Sequence, residues 1–191
     1  MNKEFSTLTE IIRKRKSEFP ATYKAGQIDP HLVNEILINA SWAPNHKKTE
    51  PWRFVVIHGE SKQTLSEFMA EHYRKTTDPA LFDPVKQRKA GEKPLEASLV
   101  IALCVHRSPE ALIPAWEETV ALACAVQNMW LSCTALDIGC YWSTPSVIKS
   151  LGNFLELKDN EECLGLFYMG WSGHPQTQRS RAGLEQFCRW M

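Results

Sequence analysis

The residues with the clearest chemical potential lie in one short segment, residues 43–54, which reads Ala-Pro-Asn-His-Lys-Lys-Thr-Glu-Pro-Trp-Arg-Phe. It places a histidine, two lysines and an asparagine immediately before the apolar run 55–57. Such side chains donate hydrogen bonds, and polar loops at the mouth of a buried element commonly bind ligands. The segment therefore predicts a site for an anionic or heteroaromatic small molecule, with a plain surface histidine as the alternative interpretation of His46.

Two further basic clusters lie towards the two ends of the sequence. One contains Arg15, Lys16 and Ser17, and the other contains Arg179 and Arg181. Arginine and lysine donate charge-assisted hydrogen bonds to phosphate, and residues two apart on an extended chain point to the same side. Each cluster alone is more typical of a solvated surface, so chemistry and spacing by themselves do not assign a ligand to either.

Hydrophobic periodicity predicts the helices that lead into these segments. Residues 7–10, Thr-Leu-Thr-Glu, have the pattern of a helix capping box, and the helix that they open is expected to end near Ser17. Asp29 followed by Pro30 predicts the start of a second helix, which delivers the chain to segment 43–54.

The rest of the sequence alternates strands and helices. Apolar runs of strand length indicate buried strands, and a long helix that is apolar almost all round must be buried centrally or against another subunit. Strands are predicted over 54–58, 97–105, 139–142 and 164–171, and helices over 61–74, 115–137 (the long apolar one) and 145–151. The charged stretch 76–93, which contains proline and glycine, is predicted to be mobile or loosely helical.

Length and composition favour one domain over residues 1–191. The 22 basic and 22 acidic residues cancel, so we expect a small-molecule partner and neither nucleic acid nor membrane. The six cysteines lack C-x-x-C spacing and are expected to be reduced and mostly buried. Residues 1–10 lack a signal-peptide core and the apolar run 120–126 is too short to span a bilayer, so a cytoplasmic protein is expected.

Several common chemistries lack their motifs. No G-x-G-x-x-G follows a predicted strand, and the sequence contains no Walker A motif and no Gly-X-Ser-X-Gly elbow. No set of His, Cys and carboxylate residues has metal-ligand spacing. The sequence therefore gives no support for Rossmann, P-loop, metal or serine-hydrolase chemistry.

Segments spread over nearly the whole chain resemble the small FMN-dependent nitroreductases. Residues 12–17 are similar to the family's Arg-Arg-Ser motif, which holds the FMN phosphate and ribityl chain, so the resemblance assigns Arg15, Lys16 and Ser17 to that role. Segment 43–54 is similar to the family's Ala-Pro-X-His-Lys loop that leads to Pro-Trp-X-Phe. In this comparison Trp42 and His46 take positions that contact the flavin in the family. An arginine is common at the position of Trp42.

Two later segments extend the resemblance. Residues 114–126 are similar to the start of the family's long central helix, which forms much of its dimer interface, and we interpret the acidic residues at its start as complements of the helix dipole. Residues 139–145 are similar to a turn that lies along the isoalloxazine ring, which assigns Tyr141, Trp142 and Ser143 to flavin contacts. Trp142 replaces the usual arginine. Near the end of the chain, Arg179 and Arg181 match a basic-X-Arg motif that supplies two more phosphate ligands.

The resemblance implies an α+β, nitroreductase-like three-layer fold, with a central mixed or antiparallel sheet flanked by helices. It further implies a homodimer with FMN in the subunit interface. The implied activity is hydride transfer from NAD(P)H through the flavin to nitroaromatic, quinone or related acceptors, by a ping-pong mechanism. Because the flavin carries this chemistry, no catalytic side chain is assigned.

Two other functions remain open at this stage. Tryptophans at positions 42 and 142, where arginines are usual, suggest a non-catalytic protein that binds or sequesters an occluded FMN. The apolar central helix also fits a flavin-free interaction domain that uses this helix as its interface. A visible spectrum and reduction by NAD(P)H discriminate among the three.

Overall fold

A four-stranded sheet forms the centre of the molecule, and the computed structural model describes residues 2–173 and 180–191. The strands are β1 Trp52–Ile57, β2 Leu99–His106, β3 Ile138–Ser143 and β4 Glu161–Trp171. They lie in the order β1-β2-β4-β3, and every neighbouring pair is antiparallel. The structure thus shows the antiparallel form of the predicted sheet.

The predicted strands 54–58 and 97–105, both expected to be well buried, differ in their position in the sheet. β2 is central and residues 99–105 are all buried, which confirms the prediction for the apolar run 97–105. β1 is an edge strand in which only Trp52 and Ile57 are buried, so the prediction that it is well buried is wrong. Because an edge strand has a neighbour on one side only, Val56 remains 36% exposed.

Helices cover both faces of the sheet and create two cores, giving three layers. Helices α2 and α5 contribute to the core on one face, and α3 and α6 contribute to the core on the other face. Helix α4 packs against α3. The helices are α1 Lys3–Lys14, α2 Pro30–Ser41, α3 Ser61–Thr76, α4 Pro84–Glu96, α5 Ala115–Ala135 and α6 Leu151–Phe154. Within residues 2–173 and 180–191, no helix has the length and apolar character needed to cross a membrane.

The start of α1 corrects the capping-box prediction. The helix begins at Lys3, because the side chain of Asn2 caps it by accepting a hydrogen bond from the Phe5 amide at 2.8 Å. Residues 7–10 therefore lie inside the helix. It ends at Lys14, and Arg15 already has an extended ψ of 126°, so the cluster predicted near the helix end lies in the chain that leaves it.

The stretch 76–93 corrects a second prediction, since most of it is the regular helix α4. Asp83 caps this helix and Pro84 occupies its first turn. Gly91 and Pro94 are buried, and a Cβ atom at Gly91 would lie 3.1 Å from the backbone oxygen of Ser66. The glycine thus permits close packing of α4 on α3, a reason that local propensity does not reveal. The predicted helix 145–151 is a 3₁₀ turn over 146–150 that continues into α6.

Candidate functional site

Arg15 lies against helix α5 at the start of the first basic cluster. Its guanidinium carbon is 4.7 Å from the centroid of the Trp130 ring, within the range of a cation–π contact. The Trp130 indole nitrogen also donates a hydrogen bond to the Lys16 carbonyl at 3.1 Å. One tryptophan of α5 therefore fixes both the side chain and the backbone of this cluster, and Ser17 is left partly exposed.

Lys16 points into the protein. Its ammonium group lies 3.5 Å from the Glu18 carboxylate, and the two side chains are only 11% and 7% exposed. The Ser172 hydroxyl lies 2.9 Å from both oxygens of Glu18. Burial raises the pKa of the nearby Tyr23 hydroxyl well above its usual range, and this group donates towards the Glu18 carbonyl at 2.9 Å. Lys16 thus compensates a buried carboxylate, and the phosphate contact expected of it stays a prediction.

The loop after α2 has an unusual backbone. Trp42 ends the helix with 81% of its surface exposed. Lys47, Lys48 and Glu50 have positive φ angles of 50°, 52° and 42°. A non-glycine residue in this region costs of order 1–3 kcal/mol and persists only where its surroundings hold it. Contacts from outside the loop must therefore stabilise its conformation.

Two side chains of the loop contact the start of α5 and the connection that precedes it. His46 Nδ1 lies 2.6 Å from Oε2 of Glu117, and the Lys47 ammonium donates to the Ala111 carbonyl at 2.7 Å. The His46 side chain is 55% exposed and that of Glu117 is 23% exposed. The predicted site histidine is therefore accessible and held by a carboxylate.

A buried ion pair fixes the first turn of α5, which carries Glu117. Glu118 is 3% exposed and lies 3.7 Å from the Arg107 guanidinium. It also accepts a hydrogen bond from the Ser108 amide at 2.9 Å. Arg107 donates in addition to the Ala115 carbonyl at 2.6 Å. The two acidic residues, interpreted from sequence as helix-dipole complements, thus make specific contacts.

The two halves of the candidate site lie at different ends of α5. Arg15 contacts Trp130 and His46 contacts Glu117. The two helix positions are thirteen residues apart, which corresponds to roughly 20 Å along the axis. Within one chain the helix therefore keeps Arg15 and His46 well apart.

The β3 residues point to opposite faces of the sheet. The Tyr141 ring packs 4.6 Å from that of Phe19 and belongs to the core that contains α3. Trp142 packs on the core that contains α5, where a Cβ atom at Gly165 would collide with its indole. Successive side chains of β3 thus lie on opposite faces of the sheet, and their assigned flavin contacts stay predictions. Ser143 is buried.

Trp142 also has an unusual polar atom. Its indole nitrogen is buried and has no hydrogen-bond partner in the described part of the chain. A buried donor without a partner costs about 1–3 kcal/mol. The Trp142 indole therefore lies against Gly165 with its N–H group buried, and the flavin contact assigned to it through the family pattern stays a prediction.

The C-terminal cluster is only partly described. Arg179 lies outside the described residues, and Arg181 is exposed and donates to the neighbouring Ser180 carbonyl at 3.4 Å. Leu184, Phe187 and Trp190 are 63%, 69% and 90% exposed. These apolar side chains of the terminal segment are thus largely accessible in the isolated chain.

Comparison with known proteins decides the family. The family model described as "Nitroreductase family" matches residues 12–171, which include both halves of the candidate site. The chain belongs to the nitroreductase family. The matched region ends before the basic pair at 179 and 181, so the C-terminal cluster lies outside it.

Individual relatives agree in fold while differing widely in sequence. "Putative NAD(P)H nitroreductase YdjA" of Escherichia coli strain K12 is 26% identical over 141 residues, covering 72% of this chain and 74% of the relative. A nitroreductase-like family protein from Bacillus cereus superimposes with a TM-score of 0.79 at 20% identity, covering 96% and 95% of the two chains. A Bacteroides fragilis nitroreductase with bound FMN gives 0.72 at 19% identity over the full length of both. The predicted nitroreductase-like α+β fold is therefore confirmed.

Sequence reasoning missed three contacts of this nitroreductase-family chain. Glu18 pairs with Lys16, Trp130 supports Arg15, and Glu117 holds His46. Only the first had a local signal, a carboxylate two positions after a lysine. The others lie far from their partners in sequence, so periodicity could not reveal them. In the described residues, no group of three or more His, Cys, Asp or Glu side chains could hold a metal ion.

Proposed function

We propose that this chain is an FMN-dependent oxidoreductase that takes hydride from NAD(P)H and passes it to a nitroaromatic, quinone or related acceptor. The observation that carries the proposal is the family match over the elements that present Arg15, Ser17 and His46. The solved structure with bound FMN supports the choice of cofactor. When bound, FMN would supply the hydride chemistry in two half-reactions, so the expected kinetics are ping-pong.

The chemistry of the donor groups fits FMN. Arg15 and Ser17 supply a cation and a hydroxyl for the phosphate, with Arg179 and Arg181 as further ligands. His46 offers a ring nitrogen to the flavin or its ribityl chain, and Trp42, Tyr141, Trp142 and Ser143 border the ring. Lys16 lies beside the phosphate ligands as a further cation, with its ammonium group paired to Glu18.

We also propose a homodimer with FMN in the subunit interface. Arg15 and His46 occupy different ends of α5 within one chain, and a second copy can bring the loop of one subunit to the basic cluster of the other. Apolar side chains that a partner would cover are exposed on α1, where Phe5, Leu8 and Ile12 are 53%, 49% and 47% exposed. Sedimentation of the purified protein should show a dimer, and a monomer that binds FMN with full affinity would contradict the interface site.

A visible spectrum tests the function. The purified chain should be yellow or take up added FMN, and anaerobic NADH or NADPH should bleach the flavin absorbance. Arg15→Ala combined with Arg181→Ala should weaken FMN retention strongly, whereas Arg13→Ala, an exposed basic residue of the last turn of α1, is the matched control. A colourless protein that takes up no FMN would overturn the proposal. Bound FMN that neither nucleotide reduces would favour sequestration.

A further inference from the structure

We propose that Glu117 is a positioning residue for His46, and that it fixes the imidazole with Nδ1 protonated and Nε2 directed towards the ligand. This inference rests on the proposed function for the identity of that ligand. The arrangement of the ring itself depends only on contacts within the chain. The two parts can therefore be tested separately.

The contact between the two side chains determines which ring nitrogen carries the proton. His46 Nδ1 is 2.6 Å from Glu117 Oε2, a short charge-assisted hydrogen-bond distance. An ionised carboxylate can only accept, so Nδ1 must carry a proton in both the neutral and the cationic ring. Nε2 has no hydrogen-bond partner among the residues that the structure describes. It is therefore the nitrogen left to bind a cofactor or substrate.

The Glu117 carboxylate belongs to the more rigid of the two contacting elements, helix α5. Glu117 lies in the first turn of the 21-residue helix α5, and its neighbour Glu118 is anchored by Arg107 and the Ser108 amide. A carboxylate on a helix whose end is fixed in this way can hold a partner in one orientation. Glu117 is thus the group that positions, and His46 is the group that is positioned.

His46 needs such support because residues of its loop adopt backbone conformations that non-glycine residues do not favour. The next two residues, Lys47 and Lys48, have φ angles of 50° and 52°. The Lys47 ammonium donates to Ala111 in the connection between β2 and α5, and His46 contacts the first turn of α5, so the two side chains attach the loop at neighbouring points. Loss of Glu117 would remove one of these two attachments and free the imidazole ring.

A general stabilising effect of acidic residues at a helix start predicts a different result. If Glu117 acted through the helix dipole alone, only its charge would matter and His46 would not respond. Glu117→Gln removes the charge and keeps an oxygen that accepts from Nδ1–H, whereas Glu117→Ala removes both. Glu4→Ala is the matched control, since Glu4 also lies in the first turn of a helix, the exposed helix α1, and makes no contact with His46.

Nitrogen NMR of the full chain labelled with ¹⁵N-histidine tests the positioning. At a pH where the ring is neutral, wild type and Glu117→Gln should show the Nδ1–H form of His46. Glu117→Ala should shift it towards the Nε2–H form that free histidine favours, and Glu4→Ala should leave it unchanged. Assignment uses the signal that disappears in His46→Gln. An unaltered His46 spectrum in Glu117→Ala would overturn the proposal.

FMN titration of the same variants connects the positioning to the site. Glu117→Ala should weaken FMN binding about tenfold, because the hydrogen bond that holds the His46 ring ready for the ligand is lost. Glu117→Gln should weaken FMN binding less. Equal affinity of Glu117→Ala and wild type would overturn the ligand-directed part of the inference. If wild type itself binds no FMN, the proposed function fails, while the NMR result still decides the positioning.

Discussion

Two side-chain pairs lie near opposite ends of α5 and differ in how deeply they are buried. One is Lys16 with Glu18, and the other is His46 with Glu117. The Lys16 and Glu18 side chains are 11% and 7% exposed, whereas those of His46 and Glu117 are 55% and 23% exposed. An unpaired buried charge is strongly destabilising, but an exposed pair contributes little because water solvates both members. The same chemistry thus stabilises the fold at one end of α5 and leaves a histidine available to ligands at the other.

The largest expected effect is on the buried pair. Lys16→Met leaves Glu18 buried without its cation, so the free energy of unfolding should fall by about 3 kcal/mol. Urea unfolding measures this loss. The matched control is Lys14→Met, because Lys14 pairs with Asp137 at 3.6 Å with 30% and 72% exposure and should cost less than about 1 kcal/mol. Equal losses in the two variants would remove the distinction between buried and exposed pairs.

A loss of stability at alkaline pH should report on the buried region around Glu18 and Tyr23. Burial raises the pKa of Tyr23 and of Tyr168, so both remain protonated in the folded chain where the unfolded chain ionises. Their contribution to stability is present below the unfolded pKa of about 10 and is lost as pH rises above it. Each tyrosine should lower the free energy of unfolding by about 1.4 kcal/mol per pH unit there. Tyr23→Phe should reduce this slope, and identical slopes would contradict the assignment.

Trp130→Phe should have a smaller effect. The variant keeps an aromatic ring near Arg15 but loses the hydrogen bond from the indole to the Lys16 carbonyl, so the expected loss is about 1 kcal/mol. Thermal or urea unfolding measures it. FMN affinity should fall as well, because the Arg15 segment loses an attachment. Unchanged FMN affinity combined with reduced stability would show that Trp130 supports the fold alone.

The exposed pair should have the smallest effect on stability. Glu117→Ala is expected to change the free energy of unfolding by less than about 1 kcal/mol, since water solvates the partner His46, whose side chain is 55% exposed. A cycle that includes His46→Ala and the double variant isolates their interaction. A loss as large as that of Lys16→Met would show that this pair also holds the fold together.

Local sequence patterns predicted a helix or strand correctly where the residues of that element were sufficient to define it. The buried strand β2 and the helix start at Asp29-Pro30 were both predicted from residues within the element itself. The predictions failed where a distant neighbour decided the outcome. Gly91 and Pro94 argue against a helix locally, but packing against α3 favours α4. Val56 is apolar in a β-branched run, but its place at the sheet edge leaves it exposed.

The sequence by itself determined which donor groups the chain can offer to a ligand, because basic residues, a histidine and hydroxyls have a fixed donor chemistry. It also determined the alternation of helices and strands, since periodicity is local. Only the tertiary structure decided which donors remain available. The contacts responsible join residues 71 positions apart in the His46–Glu117 pair and 114 positions apart between Lys16 and Trp130. Such partners are chosen by how the helices pack on the sheet, which no local pattern specifies.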